Sequence, residues 1–118
     1  MQQETRLELR ILNPAQCDIE RIALLHMDHA GANSARKITD KIFSRLEMLS
    51  TFPYIGFKLS DAQLAKEGYR GLLCDRRYLS IYRPTAEIVF VYHIVDTRTD
   101  YKGKLISMLS LENLADHQ

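Results

Sequence analysis

Between Ile88 and Val95 the chain reads IVFVYHIV, a run in which His93 is the one residue that is neither aliphatic nor a six-membered aromatic. β-Branched and aromatic residues at this density favour a strand, and a strand apolar on both faces belongs in the middle of a sheet. The neighbouring residues supply the rest of that sheet. Tyr69 to Cys74 and Tyr78 to Arg83 are strand-like runs separated by the turn Asp75-Arg76-Arg77, and Pro84-Thr85 turns the chain into Glu87 to Val95. Strand-like runs joined by short turns predict an antiparallel meander.

The N-terminal part must supply what covers this sheet. Over residues 5–12, Leu7, Leu9 and Ile11 alternate with Arg6, Glu8 and Arg10, the pattern of a half-buried strand. Asn13 is suited to cap a helix, Pro14 to open it and Gln16 to reach back to the cap. A helix from Pro14 to Ala30 is predicted, with Ile19, Ile22, Ala23 and Leu25 on its apolar side and Gly31 as its C′ residue. A second helix, capped by Asn33 or Ser34, carries Ala35, Ile38, Ile42, Leu46 and Leu49 on one stripe, with Arg36, Lys37, Asp40, Lys41 and Glu47 off it. The short connection implies an antiparallel hairpin. Pro53 and Gly56 break the helical pattern, so Thr51 to Lys66 reads as a loop with one short turn at Asp61–Ala65. The expected fold is α+β, ordered β-α-α-β-β-β. The N-terminal strand and helix hairpin pack on a mainly antiparallel four-stranded sheet, with the helices on one face. One domain spans residues 1–118, with 105–118 as a short C-terminal helix or tail through Leu105, Ile106, Leu109 and Leu111.

Composition bounds the class. A chain of 118 residues, 46% hydrophobic and 26% charged, makes one globular domain and is not disordered. The net charge is +1, but residues 66–104 hold eight Lys/Arg against five acids while the preceding part balances, a hint of an anionic partner. Cys17 and Cys74 form neither CxxC nor zinc spacing and read as two reduced thiols. The N-terminus MQQETRLELR is too charged for a signal peptide, and no apolar run approaches the roughly 20 residues of a membrane span. A cytoplasmic protein is expected.

Directly after the central strand come Asp96, Arg98, Asp100, Tyr101 and Lys102, at a sheet edge. Arg70 and Arg83 on strands, with Arg98 and Lys102 beyond the last one, could bind phosphate, because guanidinium groups donate paired hydrogen bonds. The same residues would also serve as solvated strand faces. His93, Tyr92, Tyr101 and Asp100 are proton-transfer candidates. RNA cleavage by its own 2′-hydroxyl needs a base, an acid and cations around the phosphorane. A lone histidine inside an apolar strand is more often a hydrogen-bonded core residue. His26 and His29 share a helix face but have no further ligand in sight, so they read as a surface feature. No Gly-rich phosphate loop, GxSxG, HExxH or Cys/His nucleophile set is present, and neither metal nor cofactor is expected.

The order strand, helix hairpin, FPYIG, GYRGLL, YLSIYR and IVFVYHIVDTRTDYKGKL resembles the RelE/ParE superfamily of toxins from type II toxin–antitoxin modules. The resemblance implies a small toxin held inactive by a cognate antitoxin that wraps the sheet and groove. RelE-like members cleave mRNA in the ribosomal A site, whereas ParE-like members poison DNA gyrase. In the nucleases an arginine follows the first tyrosine of the YLSIYR strand; here that position is Leu79. A second nuclease arginine matches Arg98. A basic residue on the preceding strand matches Arg70, but its companion is Leu72, and the C-terminal tyrosine has only Tyr101, in a different register. The resemblance therefore favours a ParE-like toxin with Arg98, Tyr101 and their neighbours at the site. Two other readings stand beside it. One is a ribosome-dependent mRNA endonuclease built on Arg70, Arg83, Arg98 and His93; the other is a non-toxic protein-binding module.

Overall fold

In the computed structural model, which describes residues 6–116 and side chains as far as residue 109, the sheet has five strands rather than four. They are β1 (Glu8–Ile11), β2 (Phe57–Lys58), β3 (Arg70–Leu73), β4 (Tyr78–Pro84) and β5 (Ile88–Asp96), in the order β1-β5-β4-β3-β2. β3, β4 and β5 form the predicted meander, and β1 joins β5 in parallel. β1 is shorter than the alternating run that predicts it, and residue 5 lies outside the described residues.

The fifth strand, β2, falls in the segment expected as a loop. It pairs Phe57 with Gly71 and Lys58 with Arg70. Two glycines permit this close approach. A Cβ at Gly56 would lie 2.3 Å from the Gly71 carbonyl oxygen and 2.7 Å from the Tyr82 hydroxyl, which accepts the Gly56 N–H at 3.0 Å. A Cβ at Gly71 would meet the Phe57 ring at 2.8 Å. The Phe-Pro-Tyr-Ile-Gly and Gly-Tyr-Arg-Gly segments thus dock on each other because neither backbone carries a side chain at the contact.

Helix α1 (Asn13–Ala30) starts one residue earlier than predicted, so Asn13 is not its cap. Leu12 stands there instead, its N–H donating to the Val91 carbonyl at 3.0 Å as the last bond from β1 to β5. The Gln16 side chain donates to the Ile11 carbonyl at 2.7 Å rather than to a cap. Gly31 alone links α1 to α2 (Ala32–Thr51), which leaves Asn33 and Ser34 inside the second helix. Gly31 has φ 89° and ψ 175°, a region open in practice to glycine only. Its N–H donates to Met27 at 2.9 Å and its carbonyl accepts from Ala35 at 3.2 Å, so one residue closes α1 and opens α2. The predicted α2 stripe is buried throughout, whereas on α1 Ala15, Asp18, Ile19 and Ile22 are buried and Leu25 is exposed.

Helices cover both faces of the sheet, not one. One core joins Ile22, Ile42, Leu46 and Leu49 of the hairpin to Leu72, Tyr82, Val89 and Val91. A second joins Tyr69, Leu79, Ile81, Tyr92 and Val95 to Leu64 of α3 (Ala62–Lys66) and to Leu105 and Leu109 of α4 (Lys102–Asp116). The reason lies in β4 and β5, whose residues from Tyr78 to Tyr82 and from Val91 to Val95 are buried without alternation. The predicted tail is therefore a helix with a core role, although Leu111 lies outside the described side chains.

Gly56 and Gly31 are needed for different reasons, a close approach at the first and a positive φ at the second. Gly56→Ala puts a methyl into backbone and is expected to destabilise by about 3 kcal/mol. Gly31→Ala meets no atom within 4 Å and carries only backbone strain, about 1–2 kcal/mol. Urea midpoints of the two variants check this, and a Gly56 variant as stable as the parent would contradict the docking described.

Candidate functional site

β5 ends at Asp96, opposite Tyr78, the first residue of β4. Around the Asp96 carboxylate the chain gathers two guanidinium groups. Arg77 Nε donates to Oδ2 at 2.9 Å, while Arg98 Nε and Nη2 approach at 3.3 Å and the Arg98 amide donates at 2.9 Å. Burial works to raise the Asp96 pKa, but the bonds from Arg98 and Arg77 outweigh it and the carboxyl sits below its ordinary range. The Thr97 N–H donates to the Arg77 carbonyl at 2.7 Å and the Thr99 hydroxyl to the Asp96 carbonyl at 2.7 Å, which fixes the turn. Arg98 keeps 65% of its side chain exposed. Arg77 lies over the Tyr78 ring at 5.1 Å, and the Tyr78 hydroxyl is hydrogen-bonded to His26 Nε2 at 2.9 Å. Burial raises the Tyr78 pKa. Arg77 reads in the sequence only as a turn residue; its signal is its position beside the tyrosine that faces Asp96.

The other candidates lie elsewhere. Arg70 Nη2 donates to the carbonyls of Tyr54 at 3.1 Å and Gly56 at 2.6 Å, and its guanidinium covers the Tyr54 ring at 5.4 Å. It fastens the segment before β2. Arg83 Nη2 donates to the Tyr92 hydroxyl at 2.8 Å, with Tyr69 and Tyr92 rings at 5.5 and 5.8 Å. Arg83 pairs with Phe90, and Tyr78 with Asp96. At about 3.4 Å per residue that separation puts Arg83 about 17 Å from the Arg98 end, too far for one phosphate to touch both.

His93 is buried, with Nδ1 3.0 Å from Asp18 Oδ2, and the same oxygen accepts the Ile94 N–H at 3.0 Å. Its position has a structural cause. β1 stops at Ile11, level with Val91, so the outer edge of β5 beyond that point has no strand partner. α1 begins there and its Asp18 takes over the open edge. Tyr101 and Lys102 lie at the start of α4, lining a cavity of about 260 Å³ with Phe57, Leu59, Leu64 and Leu79. The expected residues thus divide among several places, and only Arg98 stands in the exposed arginine–carboxylate cluster.

The family described as ParE toxin of type II toxin-antitoxin system, parDE, matches the chain over residues 9–101, from β1 to the residue before α4. Among solved structures, one described as "Chromosomal ParDE TA system from P. aeruginosa" is similar, with a TM-score of 0.67 over 78% of this chain and 97% of that one. The two are 17% identical, and the likeness is one of fold. No curated protein matches the sequence.

The Asp96 cluster has a pH signature. A carboxyl whose folded pKa lies below its unfolded value contributes stability above the unfolded value, and loses it as pH falls through the folded one. Asp96→Asn is therefore expected to destabilise the protein by about 1.5–3 kcal/mol at pH 7, the range for hydrogen bonds to a charged group. The difference from the parent should shrink as pH falls below about 4, where the unfolded chain takes up the proton, and vanish once the folded carboxyl, held lower, takes it up too. Denaturation at neutral and acid pH checks this; a gap that stays constant would mean the charge does not hold the arginines.

Proposed function

The chain belongs to the ParE toxin family of type II toxin–antitoxin systems, and from that membership we propose that it arrests bacterial growth by binding DNA gyrase and is neutralised by a cognate antitoxin. The observation that carries the binding reading is how the side chains suited to proton transfer are used. Of the four, His93 is engaged by Asp18 and the Tyr92 hydroxyl by Arg83, Asp100 is exposed and Tyr101 lines an apolar cavity with Leu64 and Leu79, while Arg98 stays exposed on Asp96. Leu79 and Leu72, where the resemblance to RelE-like nucleases expects cations, are 1% and 4% exposed within the two cores. Neither position presents a charge to a phosphate. Such a surface suits contact with a macromolecule better than general acid–base chemistry.

The antitoxin reading draws on a different side. Phe52, Tyr54 and Ile55 are exposed and line one concavity with Thr51 and Pro53, while Phe57, also exposed, lines the cavity bounded by Tyr101 and Lys102. A cluster of large exposed apolar groups beside a concavity is what a partner segment covers. Gyrase as the target places the toxin in the cytoplasm. Burial pushes the Cys74 thiol up to about 11, which suits an unreactive reduced cysteine.

Induced expression in growing bacteria is expected to arrest growth, with filamentation and gyrase-dependent DNA breaks, and co-expression of the antitoxin should relieve it. Arg98→Ala should weaken the arrest while changing stability by no more than about 1 kcal/mol, since its ion pair is largely exposed. Normal growth with soluble protein would remove the toxin reading. Cleavage of mRNA at ribosomal A sites would favour the nuclease instead.

A further inference from the structure

Lys37, Lys41 and Arg45 recur every fourth residue along α2. With a rise of 1.5 Å per residue the row advances about 6 Å per step and drifts only slowly around the helix. Lys37 and Lys41 are exposed on the face that also carries Asp40, and the row turns toward the flank of the buried stripe at the half-buried Arg45. The contacts place this flank against the β3–β4 turn. Lys37 and Lys41 line a concavity of about 250 Å³ with His26, Ser34 and Asp75, and Arg45 Nε donates to the Leu73 carbonyl at 3.2 Å. The turn contributes Arg76 and Arg77, and Arg77 shares Asp96 with Arg98. Cations from α2, the β3–β4 turn and the turn after β5 thus form one ridge.

Two of the acids within the ridge hold hydrogen bonds of their own. Asp75 Oδ1 accepts the N–H groups of Arg77 and Tyr78 at 2.8 and 3.0 Å, and Asp96 is held by two arginines. Among the described residues no ion pair involves Lys37, Lys41 or Arg76. Lys37, Lys41, Arg45, Arg76, Arg77 and Arg98 outnumber the three acids among them, Asp40, Asp75 and Asp96, and an external polyanion relieves that excess of positive charge. Single-stranded nucleic acid is usually bound with aromatic platforms. The ridge offers none: its tyrosine, Tyr78, is buried, and Phe43 lies on the opposite flank of α2, beside Thr39, Ala23 and Ile19. Regularly spaced cations without stacking groups fit a duplex, read through its phosphates.

We propose that this ridge, centred on Lys37, Lys41, Arg76 and Arg98, binds the phosphodiester backbone of a double-stranded nucleic acid. The binding is sequence-independent and stands apart from the gyrase reading, because it is measured with purified chain and no gyrase.

The test is fluorescence anisotropy of the purified full chain with short labelled DNA and RNA duplexes over a salt series starting near 50 mM. Log affinity should fall linearly with log salt, at a slope of about −3 to −5 for four or five phosphate contacts. Lys37→Ala/Lys41→Ala should flatten that slope by about two and weaken binding at least tenfold. Both side chains are exposed, so a melting curve like the parent's confirms that the variant is folded. Arg36→Ala, on the outer face of the same helix, should leave slope and affinity unchanged. Comparing the DNA and RNA arms identifies which duplex is preferred. Absence of binding to either duplex at low salt would overturn the proposal. So would a double variant with the parent's slope, or an Arg36→Ala loss as large as that of the double variant. Polyglutamate competing more strongly than unlabelled duplex would assign the ridge to an acidic protein and overturn it as well.

Discussion

β4 and β5 give the sheet no face that tolerates water. From Tyr78 to Tyr82 and from Val91 to Val95 every residue is buried, whichever side it points to. A sheet of this kind is stable only between two layers, and the remainder of the chain supplies them. The α1–α2 hairpin forms one, through Ile42, Leu46 and Leu49; α3 and α4 form the other, through Leu64, Leu105 and Leu109. Burying apolar surface on both sides contributes most of what offsets chain entropy in a domain of this size. It also restricts where function can sit, because the middles of β4 and β5 are closed off and, among the described residues, the strand ends, the edge strands and the outer sides of the covering helices reach solvent.

Polar groups caught between those layers have structural duties. Asp18 and His93 are separated by most of the chain, yet one carboxylate oxygen meets both the imidazole and the Ile94 amide. A buried carboxylate needs such partners, and an edge amide needs an acceptor once its neighbouring strand ends. Tyr82 takes the Gly56 N–H, and Tyr92 takes Arg83. Tyrosine suits these sites because its ring fills the core while its hydroxyl reaches a partner at the rim. Residues that look reactive in a linear reading are thereby occupied in holding elements together.

This explains which features were legible in the sequence. The α2 stripe, the meander and the helical hairpin follow from periodicity and turn chemistry, which are local. β2 escaped because a strand of two residues has no period; only the paired glycines at Gly56 and Gly71 announce it, and their meaning depends on a contact between distant segments. The cover over the second sheet face was implicit in the two-sided apolarity of Ile88 to Val95, but which segment supplies it is a tertiary matter. Arg98 was recognisable as an exposed end-of-strand arginine. Its companion Arg77 and the α2 lysines were not, since a wet helix face and a turn are the ordinary places for such charges, and only folding brings them together.

The linkage at Gly31 bears on how the molecule can move. Its amide belongs to the hydrogen-bond ladder of one helix and its carbonyl to that of the next, so the joint has no slack. Spreading the two helices apart would break a helical bond on one side or the other. The pair therefore behaves as a single stiff bracket, and any rearrangement on engaging a partner must shift the bracket as a body across the sheet, or leave it still and move α4. An insertion at this joint would add the freedom it lacks, turning a fixed corner into a hinge.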